Sequence, residues 1–199
     1  STMSAKKGRV LLNQAQQQIK ICLQKRKLTQ QAQSLIETLT ETPVHWDLIF
    51  SEVFKDKGGF DAIVANPPFI NCIRGPITKG FKQLLRIRYP KITGSADLSY
   101  YFLSLASELI HSDGTIGIVL PRVSMGAKAL DAFRKDPDTP KPNLIYSANH
   151  HRFFSAADIK VAVYILGHNS SCKVSNADLP DTNSWSTIKL DWTHWWPSY

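Results

Sequence analysis

The sequence predicts an α/β fold, an open sheet preceded by a helical segment. Three observations carry this expectation. The apolar run Phe60-Asp61-Ala62-Ile63-Val64-Ala65 has the length of a buried strand and stops at two consecutive prolines. Residues 97–110 set Leu98, Phe102, Leu105 and Leu109 on one helical stripe. After the turn Ser112-Asp113-Gly114 a second apolar run, 115–120, ends at Pro121. Two later runs, 143–147 and 160–166, can pair as a closing antiparallel hairpin.

Composition limits the partners. At 199 residues the chain holds one domain with a short extension, and a hydrophobic share of 43% can fill its core. A net charge of +8 and a sequence pI near 9.4 favour a polyanion, nucleic acid before an anionic membrane, although many basic domains bind neither. Cys22, Cys72 and Cys172 are too few and too far apart for a disulfide framework or a metal site, which points to a reducing cytoplasm. No apolar run reaches the length of a membrane span, and Ser1-Thr2 ahead of Met3 begins no signal-peptide pattern.

Taken in order, residues 8–41 are rich in glutamine, and Leu28, Ala32, Leu35, Ile36 and Leu39 fall at helical spacing, giving two helices or one broken helix. The run Lys25-Arg26-Lys27 reads as a solvated face, with DNA contact as the alternative. Pro43 closes the segment. Residues 46–54 alternate imperfectly and read as a strand or an extended packing segment. Lys57-Gly58-Gly59 then turns the chain into the strand at Phe60.

Asn66-Pro67-Pro68-Phe69 is the centre of the sequence. Asn-Pro and Pro-Pro also open ordinary loops, but here they follow directly on an apolar strand, where ligands of open α/β sheets bind. Two prolines remove two backbone donors and hold the chain extended. Carbonyls near Asn66 and Pro67 are thereby left with few N–H groups to engage them. With the amide oxygen of Asn66 they can accept both hydrogens of an exocyclic amino group, and Phe69 can stack on the ring that carries it.

The next segment, 70–96, contains Arg74, Lys79, Lys82, Arg86, Arg88 and Lys91 and no Asp or Glu. Interleaved with Leu84, Leu85, Ile87 and Tyr89, these cations suit a phosphate-contacting lid, for which Gly75, Gly80 and Gly94 supply freedom. A solvated loop around one short helix is the plainer alternative. Farther on, Ser124 can cap a helix with Leu130 and Phe133 inward. His150-His151 would point to opposite faces of a strand and has no third ligand, so no metal is expected. The polar tail from 170 ends in Trp185, Trp192, Trp195 and Trp196, which call for a packing surface.

Asn66-Pro67-Pro68-Phe69, Ala96-Asp97-Leu98, Tyr101-Phe102 and Leu120-Pro121 stand in the order and spacing of a known family. The chain resembles, over residues 44–167, the C-terminal part of the catalytic domain of adenine-N6 DNA methyltransferases that use S-adenosylmethionine (SAM). The similarity is to the Asn-Pro-Pro-Phe/Tyr enzymes of restriction–modification systems, type II or IIG-like. The resemblance implies a partial Rossmann-like class I SAM methyltransferase sheet at 43–168, after a helical segment at 1–42 and before a tail at 169–199 that begins a target-recognition region. It implies catalytic roles for Asn66, Pro67, Pro68 and Phe69. Phe69 and Phe154, with Phe153 as fallback, would stack on a flipped adenine. Arg74, Lys79, Lys82, Arg86 and Arg88 would contact double-stranded DNA. Asn66 and Pro68 would face SAM, with Asp47, or Glu52, holding its adenine ring.

The family's Gly-rich SAM turn has no match: Gly58-Gly59 and Gly114 are in the wrong places. The resemblance therefore implies a fragment whose SAM site is completed by an upstream segment or a partner chain. Two alternatives stay open: methyl transfer to RNA or to a protein glutamine, and a non-catalytic DNA-binding or interaction module with a degenerate methyltransferase fold.

Overall fold

A computed structural model describes residues 44–147, 159–167, 171–175 and 186–189. The expected N-terminal helices, Cys22, His150-His151, Phe153, Phe154 and the four tail tryptophans lie outside the described residues.

The first described elements are helical, which corrects the extended segment expected over 46–54. α1 (Trp46–Ile49) and α2 (Ser51–Asp56) lead into the sheet. Trp46, Phe50 and Phe54 recur every four residues, the spacing of one helical face. All three rings meet Phe60, at centroid distances of 6.3, 5.2 and 5.4 Å. That aromatic contact ties both helices to the start of β1 (Phe60–Ala65).

α3 (Lys79–Arg88) is capped by Thr78, whose hydroxyl accepts from Phe81 N–H at 3.2 Å. α4 (Leu98–Leu109) is capped by Asp97, whose Oδ1 accepts from Ser99 N–H at 2.9 Å. The helix is where the sequence predicts it, but it is rotated. Tyr100, Tyr101, Leu103 and Ala106 are buried, whereas Phe102, on the expected inward stripe, is 40% exposed. A helix that is apolar nearly all round offers more than one candidate face, and periodicity alone does not choose between them.

β2 (Ile110–Pro121) is longer than the predicted strand because Ser112-Asp113-Gly114 is a bulge within it. Pairing with β1 jumps from Phe60↔Ile110 to Ala62↔Thr115. Gly59 allows this crowding: a Cβ there would lie 2.7 Å from both His111 N and Leu109 O. Gly59→Ala is accordingly expected to lower stability by about 1–3 kcal/mol, seen as a lower denaturant midpoint. An unchanged midpoint would mean that the bulge gives way freely.

After β2 come two 3-10 turns (Arg122–Gly126 and Lys128–Leu130) and α5 (Asp131–Lys135). Leu130 and Phe133 point inward as expected, at 3% and 2% exposure. Ser124 caps nothing; its hydroxyl is buried and hydrogen-bonds the Tyr164 hydroxyl at 2.8 Å. β3 (Lys141–Tyr146) and β4 (Val161–Gly167) form the predicted antiparallel pair. β5 (Ser171–Ser175) and β6 (Ser186–Lys189) continue the sheet past residue 168.

The six strands run in the order β1-β2-β4-β3-β5-β6. β1 is parallel to β2 and β3 to β5, while β4 and β6 run antiparallel to their neighbours. The fold is a mixed α/β sheet, and Ile116, Ile118, Leu120, Ile145 and Ala162 supply its core at 0–1% exposure. β1 is less buried than its composition predicts. It is the end strand of the described sheet, and Val64 on its outer face is 91% exposed. No helix among the described residues is long and apolar enough to cross a membrane.

Burial sets the alkaline limit of this core. It raises the Tyr100 phenol and the Cys172 thiol each to about 12, and pushes Tyr164 and the Cys72 thiol upward as well. Above about pH 9 the unfolded chain releases protons that the folded core retains, so the unfolded state binds fewer protons and stability falls as pH rises. Equilibrium unfolding should show that decline between roughly pH 9 and 12, and a flat profile would contradict the burial of these groups.

Candidate active site at the carboxyl edge

β1, β2, β3 and β5 all end at one edge of the sheet, and β4 begins there. Asn66-Pro67-Pro68-Phe69 leaves that edge from the end of β1. Pro67 is buried, Phe69 is half-buried, and Asn66 and Pro68 are exposed. Among the described residues no hydrogen bond engages the Asn66 amide or the loop carbonyls of 66–69. An acceptor pair without internal donors is what two consecutive prolines produce.

The loop is held from its far side. Leu98 N–H donates to Ile70 O at 2.8 Å, and Cys72 N–H to Ala96 O at 3.0 Å. Ala96-Asp97-Leu98, at the start of α4, thus pins the segment that leaves Phe69. Asn71 tightens it further, its Oδ1 accepting from Ile73 N–H at 2.9 Å and Arg74 N–H at 3.0 Å. Asn71 is the positioning residue that sequence reading missed. Its signal was the Asn-x-x-Arg-Gly stretch, which favours an Asx turn. Gly75 serves close approach rather than hinge freedom, since a Cβ there would sit 2.6 Å from Asn71 O.

The basic segment divides into two groups. Arg74 and Lys79 are exposed and make no ion pair among the described residues. Lys82 reaches Ile73 O at 3.3 Å from α3. Arg86, also on α3, is exposed. Arg88 is already engaged: it pairs through both terminal nitrogens with Glu108 on α4 and stacks 4.8 Å above the Tyr89 ring. Lys91 likewise pairs with Asp136. The absence of acids within 70–96 therefore does not leave every cation unpaired, because α4 and the loop after α5 bring carboxylates to them.

Asp47 is not brought to this site. It lies on α1, beside the aromatic cluster at the amino end of β1, while Asn66 follows the carboxyl end. A six-residue strand, about 20 Å long, separates the two ends. Glu52 on α2 is on the same distant side. Asn66, Pro67, Pro68 and Phe69 are contiguous at the edge, and Phe154 lies outside the described residues. No group of three metal-ligating side chains occurs among the described residues.

The family model described as the Eco57I restriction-modification methylase matches residues 2–154. A protein of Methanocaldococcus jannaschii, provisionally named a type II restriction enzyme and methyltransferase, is 30% identical over 79 residues, 40% of this chain and 6% of that protein. The type IIL restriction-modification enzyme MmeI, solved in complex with DNA, is similar at 15% identity and a TM-score of 0.50, over 74% of this chain and 20% of its own. A type I restriction-modification methyltransferase subunit from Streptococcus thermophilus has 20% identity and a TM-score of 0.44, over 68% of this chain and 30% of its own. The chain thus spans a small part of each of these proteins, and the likeness to MmeI is one of fold. With the family model matching well over half of the sequence, this chain belongs to the Eco57I restriction-modification methylase family.

Proposed function

We propose that this chain carries the methyl-accepting half of a SAM-dependent DNA methyltransferase active site and acts on the N6 amino group of adenine. The observation that carries the reading is the Asn66-Pro67-Pro68-Phe69 loop. It is fixed at the carboxyl edge through Ile70 and Cys72, and among the described residues its acceptors are left unengaged. Family membership supports methyl transfer within a restriction–modification protein.

An aromatic amine is a poor nucleophile because its lone pair is spread into the ring. Asn66 Oδ1 and the Pro67 carbonyl each accept one amino hydrogen, which draws the nitrogen toward tetrahedral geometry and localises the lone pair on it. Phe69 stacks on the base, which must first leave the duplex. Phe154 is the proposed second face of that stack. SAM, when bound, supplies the activated methyl group. The described residues fit only the reacting side of such a cofactor: Asn66 and Pro68 are exposed at the edge, while Asp47 is too distant to share it. The remainder of the SAM site is assigned to an upstream segment or a partner chain. Arg74, Lys79, Lys82 and Arg86 are the proposed phosphate contacts, and Arg88 joins them only on releasing Glu108.

The test is to incubate the intact protein with methyl-labelled SAM and duplex DNA, RNA or protein, and to identify the modified residue by mass spectrometry. N6-methyladenine in DNA is the expected product. Label in RNA or in glutamine would transfer the same chemistry to another substrate. DNA binding with no transfer would support a non-catalytic module.

A further inference from the structure

The turn after β2 exposes a feature that the proposed methyl transfer does not use. Arg122–Gly126 lies at the carboxyl edge, one strand along from Asn66. Arg122 N–H donates to Lys160 O at 2.8 Å, which sets Arg122-Val123 beside Ile159-Lys160 at the start of β4. Val123 is 73% exposed and Ile159 44%. Lys160 is exposed and Arg122 half-buried. Two apolar side chains thus share an exposed edge with two cations.

Single exposed apolar residues are ordinary. Val123 differs in how firmly its turn is held. The guanidinium of Arg134, a residue 9% exposed, donates to the carbonyls of Ser124, of Met125 at 3.0 Å and of Ala127 at 3.2 Å. The buried Ser124–Tyr164 hydroxyl pair fixes the same turn. Burying a cation is unfavourable unless its hydrogen bonds are met, and here they are met by the turn that aims Val123 into solvent. A rigid apolar projection flanked by cations matches the chemistry of duplex DNA: cations take the phosphates, and an apolar side chain enters a gap in the base stack. An anionic membrane would use the cations but gives no reason for a rigid edge.

We infer that Arg122, Val123, Ile159 and Lys160 form a second DNA-contacting patch, in which Val123 fills the gap that opens when the target base leaves the stack. The inference rests on the proposal that duplex DNA is the substrate.

The test uses the intact protein, a short mixed-sequence duplex, and the same duplex with one abasic site. The wild-type protein should bind the abasic duplex about tenfold more tightly, because no base need be unstacked there. Val123→Ser should reduce that preference to within about twofold and leave the salt dependence unchanged. The Arg122→Gln, Lys160→Gln double variant should lower the slope of log K against log salt concentration by about 1.8 and keep the preference. Thermal melts of the variants should follow the wild type. An unchanged preference in Val123→Ser, or an unchanged slope in the double variant, overturns the patch alone. Failure of the wild-type protein to bind either duplex would instead remove the DNA reading on which it rests.

Discussion

Asn66→Ala is expected to slow methyl transfer by about 10²–10³-fold while leaving DNA affinity within about twofold. Asn66 is exposed, and no hydrogen bond holds its amide among the described residues. Its removal should therefore change stability by less than about 0.5 kcal/mol, so lost activity cannot be traced to lost structure. The loop carbonyls survive the substitution, and the anchors at Ile70 and Cys72 lie beyond it. What disappears is one of two acceptors for the amino hydrogens. Asn66→Asp keeps an oxygen in place but adds a charge, and should fall between the wild type and alanine. Single-turnover transfer to DNA separates the chemical step from product release. A fully active alanine variant would end the mechanism, because the proline carbonyl would then suffice.

Much of this fold was legible because it rests on local pattern. The apolar run 60–65, the double proline and the helix capped by Asp97 are each set within a few residues. The paired strands after Pro142 are readable for the same reason. Local pattern misled where a distant residue decides the outcome. Trp46, Phe50 and Phe54 look like an imperfect strand until Phe60 gives them a common target. α4 turns Tyr100 and Leu103 inward rather than Phe102 because the sheet covers one of several apolar faces. Val64 is apolar yet 91% exposed because its partner on β2 is Gly117, which offers no side chain to cover it, and no strand flanks the other side of β1 in the described sheet. The site divides in the same way. Asn66-Pro67-Pro68-Phe69 is contiguous and could be read directly. The pairing of Arg88 with Glu108 spans 20 residues and left no trace in the charge pattern. Asp47 follows from the resemblance alone, and the helices that replace the expected extended segment put it by the amino end of β1, away from Asn66.

Arg134→Met should have the largest effect on stability among the described polar residues, about 2–4 kcal/mol. The guanidinium serves three carbonyls of the turns after β2, those of Ser124, Met125 and Ala127. Methionine fills the space but donates nothing, and each buried acceptor left without a donor costs about 1–3 kcal/mol. Two effects hold the total below the simple sum. Burial already draws the Arg134 guanidinium below its usual pKa, so its removal relieves some unfavourable desolvation, and a turn near the surface can relax toward water. The ion pair with Asp131 contributes little: its partner side chain is 53% exposed and the N–O distance is 3.3 Å. Asp131→Asn should therefore change stability by less than about 1 kcal/mol. Arg134→Lys should lie near methionine, because one ammonium cannot reproduce a planar fork that reaches several carbonyls. Denaturant titration of the three variants distinguishes the alternatives. If Asp131→Asn proves as damaging as Arg134→Met, the ion pair and not the carbonyl fork holds the turns. If Arg134→Lys matches the wild type, charge alone is sufficient. The predicted order, methionine and lysine far below asparagine, would make Arg134 the residue that fixes the carboxyl edge beside Asn66.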